Sequence, residues 1–142
     1  MKTLYAAYGS NMNLEQMAAR CPGAEVAGHG FIDDYRLVFR VVADIDPFLG
    51  GRVPVVYWWL SEEHVAALDR YEGFPRVYAR WRVPALVGGR RRSALVYLMQ
   101  PGRRQSLPSR SYYKSIEDGY RSAGLDQAPL LDALRRAELK LN

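Results

Sequence analysis

Six short apolar or alternating runs, broken by glycine- and proline-containing stretches, set the polarity pattern of this chain. Residues 3–8 read as a short buried strand that ends at Gly9. Residues 25–32 and 35–42 read as two strands joined through Asp33-Asp34, and residues 46–51 as a loop. Residues 53–60 are strongly β-prone, with Pro54 pointing to an edge or a first strand position. In residues 77–83, Val77, Ala79, Trp81 and Val83 share one face and Tyr78, Arg80 and Arg82 the other. Gly88-Gly89 then turns the chain into a last strand over residues 92–99.

Helical periodicity fills the intervals. Asn13 reads as an N-cap with Gln16 at the capping-box position, followed by Leu14, Met17, Ala18 and Cys21 on one face. Pro22-Gly23 ends that helix. Ser61 caps a second helix running to about Tyr71, with Glu62 and Glu63 in its first turn and Gly73 as its stop. Pro108-Ser109 opens a third helix through Tyr112, Ile116 and Tyr120. A final helix over residues 129–141 buries Leu130, Leu134, Ala137 and Leu141. More strands than helices, with a tight turn between the last two strands, predict an α+β fold. The expectation is one domain over residues 1–142 with a small, mostly antiparallel, barrel-like sheet and flanking helices.

Composition narrows the setting. At 142 residues with 49% hydrophobic and 25% charged positions, the chain suits an ordinary globular protein with a sizeable core. The single cysteine, Cys21, excludes an internal disulfide and fits a reducing compartment. After Met1-Lys2 the apolar run breaks at Gly9-Ser10-Asn11, too early for a secretory core, and no stretch is long enough to span a membrane. A cytoplasmic location is expected, without a membrane partner. The net charge of +5 raises a nucleic-acid reading. Much of the excess sits at Arg90-Arg91-Arg92 and Arg103-Arg104, beside glycines, where solvated loop tips explain it and no nucleic acid is expected.

Three segments carry candidate chemistry. In Tyr5-Ala6-Ala7-Tyr8-Gly9-Ser10-Asn11 a strand gives way to a helix almost at once, exposing backbone N–H groups suited to a carboxylate or a developing oxyanion. A plain strand-to-helix turn accounts for Ser10 and Asn11 as well. In Leu68-Asp69-Arg70-Tyr71-Glu72-Gly73-Phe74-Pro75, Glu72 falls on the apolar stripe of Val65 and Leu68 at a helix C-terminus. Burial and the helix dipole both raise its pKa towards the ~6–7 useful for proton transfer, and Asp69 one turn back adds repulsion. The competing reading pairs Glu72 with Arg76 or Arg80. The third segment holds Tyr97 on the last strand and Tyr112 in the first turn of a helix. These phenols serve either as substrate contacts or as partly buried core residues.

Together YAAYGSNM, LDRYEGFPRVY, VYLM and LPSRSYYKSIEDGYRSAGL, in this order and spacing, resemble the γ-glutamylcyclotransferase-like superfamily, including its AIG2-like and antibiotic-biosynthesis branches. The resemblance runs from Thr3 to about Leu125. It implies a small β-barrel with a cavity at one side, and cyclisation of a γ-glutamyl amide to 5-oxoproline and a free amine. The substrate's own amine attacks, in keeping with the lack of a Ser/His/Asp or Cys/His constellation; His29 and His64 stand alone, His64 as a surface helix residue. On this pattern Glu72 is the catalytic acid/base. Tyr5, Ala6, Ala7, Tyr8, Gly9, Ser10, Asn11, Tyr97 and Tyr112 bind the substrate. No metal or cofactor has a place in the scheme. Amino acids, amines and a biosynthetic intermediate or carrier protein all stand as possible leaving groups. A non-catalytic module holding a γ-glutamyl or amino-acid ligand is the alternative.

Overall fold

The computed structural model describes residues 2–140. Strand β1 (Thr3–Ala7) lies at the centre of a five-stranded sheet, with β2 (Glu25–Arg40) and β3 (Val42–Leu60) on one side and β5 (Arg90–Met99) and β4 (Tyr78–Val87) on the other, in the order β2-β3-β1-β5-β4. β1 runs antiparallel to β3, from Thr3–Leu60 to Ala7–Val56, and parallel to β5 around Tyr5–Leu95. A strand covered on both faces needs apolar residues at successive positions, and Leu4 to Tyr8 are all buried. Pro54 lies two positions past the end of β1, where β3 has only β2 as a neighbour, the edge-like setting in which proline is tolerated. The fold is α+β and mostly antiparallel. The sheet curls until β2 and β4 approach each other, but it does not close into a hydrogen-bonded barrel.

Two expected strands and a loop prove to be parts of longer elements. β2 runs straight through Asp33-Asp34, where Asp34 takes φ 63° and its carboxylate accepts the Gly50 N–H at 3.0 Å. An aspartate tolerates that left-handed backbone better than most residues. The ladder steps from Asp33–Arg52 to Tyr35–Pro47, leaving residues 48–51 opposite Asp34 alone. The predicted loop at 46–51 is therefore an excursion within β3.

Among the described residues four α-helices flank the sheet: α1 (Leu14–Arg20), α2 (Glu62–Glu72), α3 (Arg110–Ser122) and α4 (Ala128–Leu139). Asn13 caps α1 by accepting the Gln16 N–H at 3.1 Å, but the reciprocal half of the expected capping box is missing and Gln16 Oε1 has no partner among the described residues. Met17 and Cys21 are buried as expected. Leu14 and Ala18 are exposed, because only a narrow strip of this short helix meets the core. Ser61 caps α2 reciprocally with His64, whose Nε2 also meets the Pro22 carbonyl at 2.6 Å. His64 is thus a capping residue with both ring nitrogens engaged, not a free surface histidine. In α4, Leu130, Ala133 and Ala137 are buried, Leu134 only partly, and Leu141 lies outside the described residues.

β4 departs from simple alternation. Val83 and Ala85 are buried on one face, while Trp81 on that same face is 58% exposed. Tyr78, on the opposite face, is buried. The strand changes which side it buries as the sheet curls, and this turns Tyr78 towards the end of α2.

Candidate active site

The exit of β1 organises the site. After Tyr8 the chain enters a single 3-10 turn (Ser10–Met12), and Asn13 starts α1 immediately afterwards. Gly9 allows a close approach here: a Cβ would lie 3.2 Å from both the Ala43 side chain and the Tyr112 hydroxyl, tight enough that one of them would have to shift. The far side of the turn is pressed by α3, where a Cβ on Gly119 would meet Met12 Cβ at 2.8 Å. Trp58 Nε1 donates to the Asn11 carbonyl at 3.0 Å, and Asn13 Nδ2 donates to the Ser115 carbonyl at 3.0 Å, fastening the turn to β3 and α3. The N–H groups of Ser10 and Asn11 make no hydrogen bond among the described residues.

A cavity of about 310 Å³ opens against this turn, at the low end of volumes that hold small ligands. It brings together seven of the expected substrate residues, Tyr5, Tyr8, Gly9, Ser10, Asn11, Tyr97 and Tyr112, with the expected catalytic Glu72. Ala6 and Ala7 are fully buried in β1 and do not line it. The wall also includes Val42, Ala43, Tyr71, Val77 and Tyr78, which sequence reading did not assign to the site. Register and curl bring these in from other elements, and no local pattern marks them.

Glu72 is the last residue of α2, before Gly73 turns left-handed at φ 66°. Its Oε1 accepts a hydrogen bond from Asn11 Nδ2 at 3.3 Å. Burial pushes its pKa from 4.5 up to about 7, and the Arg20 guanidinium opposes that rise. Among the described residues, neither Arg76 nor Arg80 pairs with it. Arg80 meets Asp69 at 3.6 Å, and Asp69 also accepts the Tyr97 hydroxyl at 2.7 Å. Asp69 is turned away, so the expected repulsion between the two carboxylates is not a cause of the shift.

The phenols around the cavity form an ordered set. Tyr8 donates to the Tyr97 carbonyl at 2.6 Å, and Tyr78 to the Ala43 carbonyl at 2.6 Å. Tyr112 Oη accepts the Ala43 N–H at 3.0 Å. Burial pushes the Tyr112 pKa up to about 12 and holds Tyr5, Tyr8, Tyr78 and Tyr97 well above the usual phenol value, so all five stay neutral donors and acceptors near pH 7. Tyr5 Oη accepts from Asn11 Nδ2 at 3.0 Å, and its own O–H has no acceptor among the described residues. Tyr97 is different: its hydroxyl is already committed to Asp69. A near-neutral carboxyl, an unspent phenol proton and free turn amides make an arrangement suited to moving protons and holding a small polar molecule.

By its α+β architecture, strand order and one-sided cavity, the protein is of the γ-glutamyl cyclotransferase fold class. The chain belongs to the gamma-glutamyl cyclotransferase, AIG2-like family, whose model matches residues 5–119. A solved structure described as gamma-glutamyl cyclotransferase is similar with a TM-score of 0.83 at 25% identity, over 94% of this chain and 86% of the other. An uncharacterized protein from Homo sapiens is similar at 0.82 and 26%, over 93% and 86%. YkqA from Bacillus subtilis shares the fold at 0.79 and 21% identity, over 96% of this chain but 54% of its own. No curated protein matches the chain.

Proposed function

We propose that the protein is a γ-glutamylcyclotransferase-type enzyme, acting as one domain, that cyclises a γ-glutamyl amide to 5-oxoproline and a free amine. The observation that carries this reading is the Glu72 carboxyl, half-buried in the cavity wall and held by Asn11 beside the turn amides of Ser10 and Asn11, which have no partner among the described residues.

The α-nitrogen of the substrate attacks its own γ-carbonyl carbon, forming the ring C–N bond as the original amide C–N bond breaks. Glu72, as carboxylate, takes a proton from the attacking nitrogen and, as carboxylic acid, gives one to the leaving nitrogen. The two protons lost by the attacking ammonium end on the leaving amine, which departs as an ammonium ion. No water is consumed. A pKa near 7 suits both halves of this exchange at neutral pH. Five-membered ring closure already has a high effective molarity, so the protein mainly fixes the bent conformer and handles protons. The free N–H groups of Ser10 and Asn11 and the unspent Tyr5 proton suit a developing oxyanion, a contribution of ~10²–10³ in rate for one such donor. Gly9 and the rings of Tyr8, Tyr97 and Tyr112 shape the pocket and exclude water.

The test is a screen of γ-glutamyl amino acids, γ-glutamylamines and γ-glutamyl peptides, with 5-oxoproline read by mass spectrometry for the wild type and Glu72→Gln. Product from the wild type and loss of at least ~100-fold in the variant are expected. Equal turnover by both proteins contradicts the role of Glu72, and calorimetric binding without product selects a non-catalytic module.

A further inference from the structure

Arg20 takes no part in the proton transfers above, yet its charge opposes the rise in the pKa of the reacting carboxyl. It closes the last turn of α1, where an arginine is ordinary because it complements the helix dipole. Here it is turned inward. Its Nη1 donates to Asn11 Oδ1 at 2.5 Å and to Ser10 Oγ at 3.2 Å, and its guanidinium lies 3.7 Å over the Tyr71 ring. Tyr71 closes the loop, its hydroxyl 3.4 Å from Ser10 Oγ.

The consequence follows from donor and acceptor inventories. A guanidinium only donates, so the Asn11 side chain must present its oxygen to Arg20. Its NH₂ group is then forced to the opposite side, where one hydrogen goes to Tyr5 Oη and the other to Glu72 Oε1. Were the amide reversed, its oxygen would face the carboxylate and two acceptors would meet. The orientation set by Arg20 therefore favours the ionised form of Glu72, the form that accepts the substrate's proton. The other groups around Glu72 do not supply this. Tyr5, Tyr8, Tyr78, Tyr97 and Tyr112 are neutral phenols, Arg70 lines the cavity but makes no hydrogen bond or ion pair with Glu72 among the described residues, and Asp69 is turned away, tied to Tyr97 and Arg80.

We propose that Arg20 is a positioning residue, which locks the Asn11 amide with its NH₂ towards Glu72 and so keeps the general base available at neutral pH. This rests on the cyclotransferase reading for its catalytic meaning, but not for its geometry.

The experiment compares the wild type, Arg20→Met and Arg20→Lys in two ways: the pH dependence of kcat/KM for 5-oxoproline release, and a carbon-NMR titration of the Glu72 carboxyl. Arg20→Met moves the Glu72 midpoint up by roughly one pH unit. Its rate deficit is about fivefold at pH 7 and closes towards pH 9, as the carboxylate fraction recovers. Arg20→Lys keeps a donor-only cation and titrates with the wild type. A purely structural role lowers the rate by one factor at every pH and leaves the midpoint in place. That result overturns the proposal, as does an Arg20→Lys midpoint displaced as far as that of Arg20→Met. If the wild type releases no 5-oxoproline, the functional reading fails, while the NMR midpoints still decide the role of Arg20.

Discussion

The hollow bordered by Arg40, Arg103, Arg104 and Lys140 has a volume of about 940 Å³, against about 310 Å³ for the tyrosine-walled cavity. It is also the more highly charged of the two. Yet its charges are either solvated or spent. Arg40 donates to Asp44 and Asp46, each at 2.9 Å, and to the Arg103 carbonyl at 2.8 Å, while Arg103 and Arg104 are exposed. In the smaller cavity one half-buried carboxyl sits among neutral phenols, with Arg70 in the wall and the Arg20 guanidinium acting on it from behind Asn11. Water levels the properties of the first group and leaves those of the second to the protein. On the proposed function, the site is marked by desolvation rather than by size or charge.

The contrast can be broken by substitution at either end. Glu72→Gln has the largest expected effect, the loss of turnover stated above. The same variant then tests the cost of desolvation. Glu72 has its pKa raised from 4.5 to about 7, so between these values the folded state binds more protons than the unfolded one. Its contribution to stability is fully present below pH 4.5 and is lost as pH rises through 7. Glu72→Gln avoids that loss and should gain up to about 3 kcal/mol over the wild type at pH 8 relative to the difference at pH 4, read by urea unfolding. Gly119→Ala comes next: the new methyl drives against Met12, destabilising by about 1–3 kcal/mol and lowering kcat/KM by displacing the Ser10–Met12 turn. Tyr112→Phe leaves the buried Ala43 N–H without its acceptor, a loss of about 1–2 kcal/mol in thermal unfolding, with a raised KM. Arg103→Gln with Arg104→Gln, at the larger hollow, changes stability by less than about 0.5 kcal/mol and leaves kcat/KM alone.

The same contrast explains what could be read from sequence. The turn after β1, the Ser61 and Ser109 caps and the Gly73 stop are local features, each written in a few adjacent residues. Glu72 was legible because the helix period placed it beside Leu68, and its burial follows from that. The continuity of β2 and β3 was not, since Asp33-Asp34 and the Pro47 to Gly51 stretch carry ordinary turn residues, and only the cross-strand register shows that the ladder resumes beyond them. Tyr78, Val42 and Ala43 reach the cavity through the curl of the sheet, a long-range property. Arg20 looked like any basic residue at a helix end, and its partners lie on a different turn of the chain and on α2. Trp81 misled because alternation predicts faces, while the curl decides which part of a face is covered.

The central claim is that Glu72 relays protons for attack by the substrate's own amine, with no water entering the product. It is tested most directly by running the reaction in water enriched in the heavy oxygen isotope and weighing the products. Unlabelled 5-oxoproline, equal in amount to the released amine and absent with Glu72→Gln, is the result expected. Glutamate carrying the heavy isotope would mean hydrolysis by an activated water, and would contradict the account.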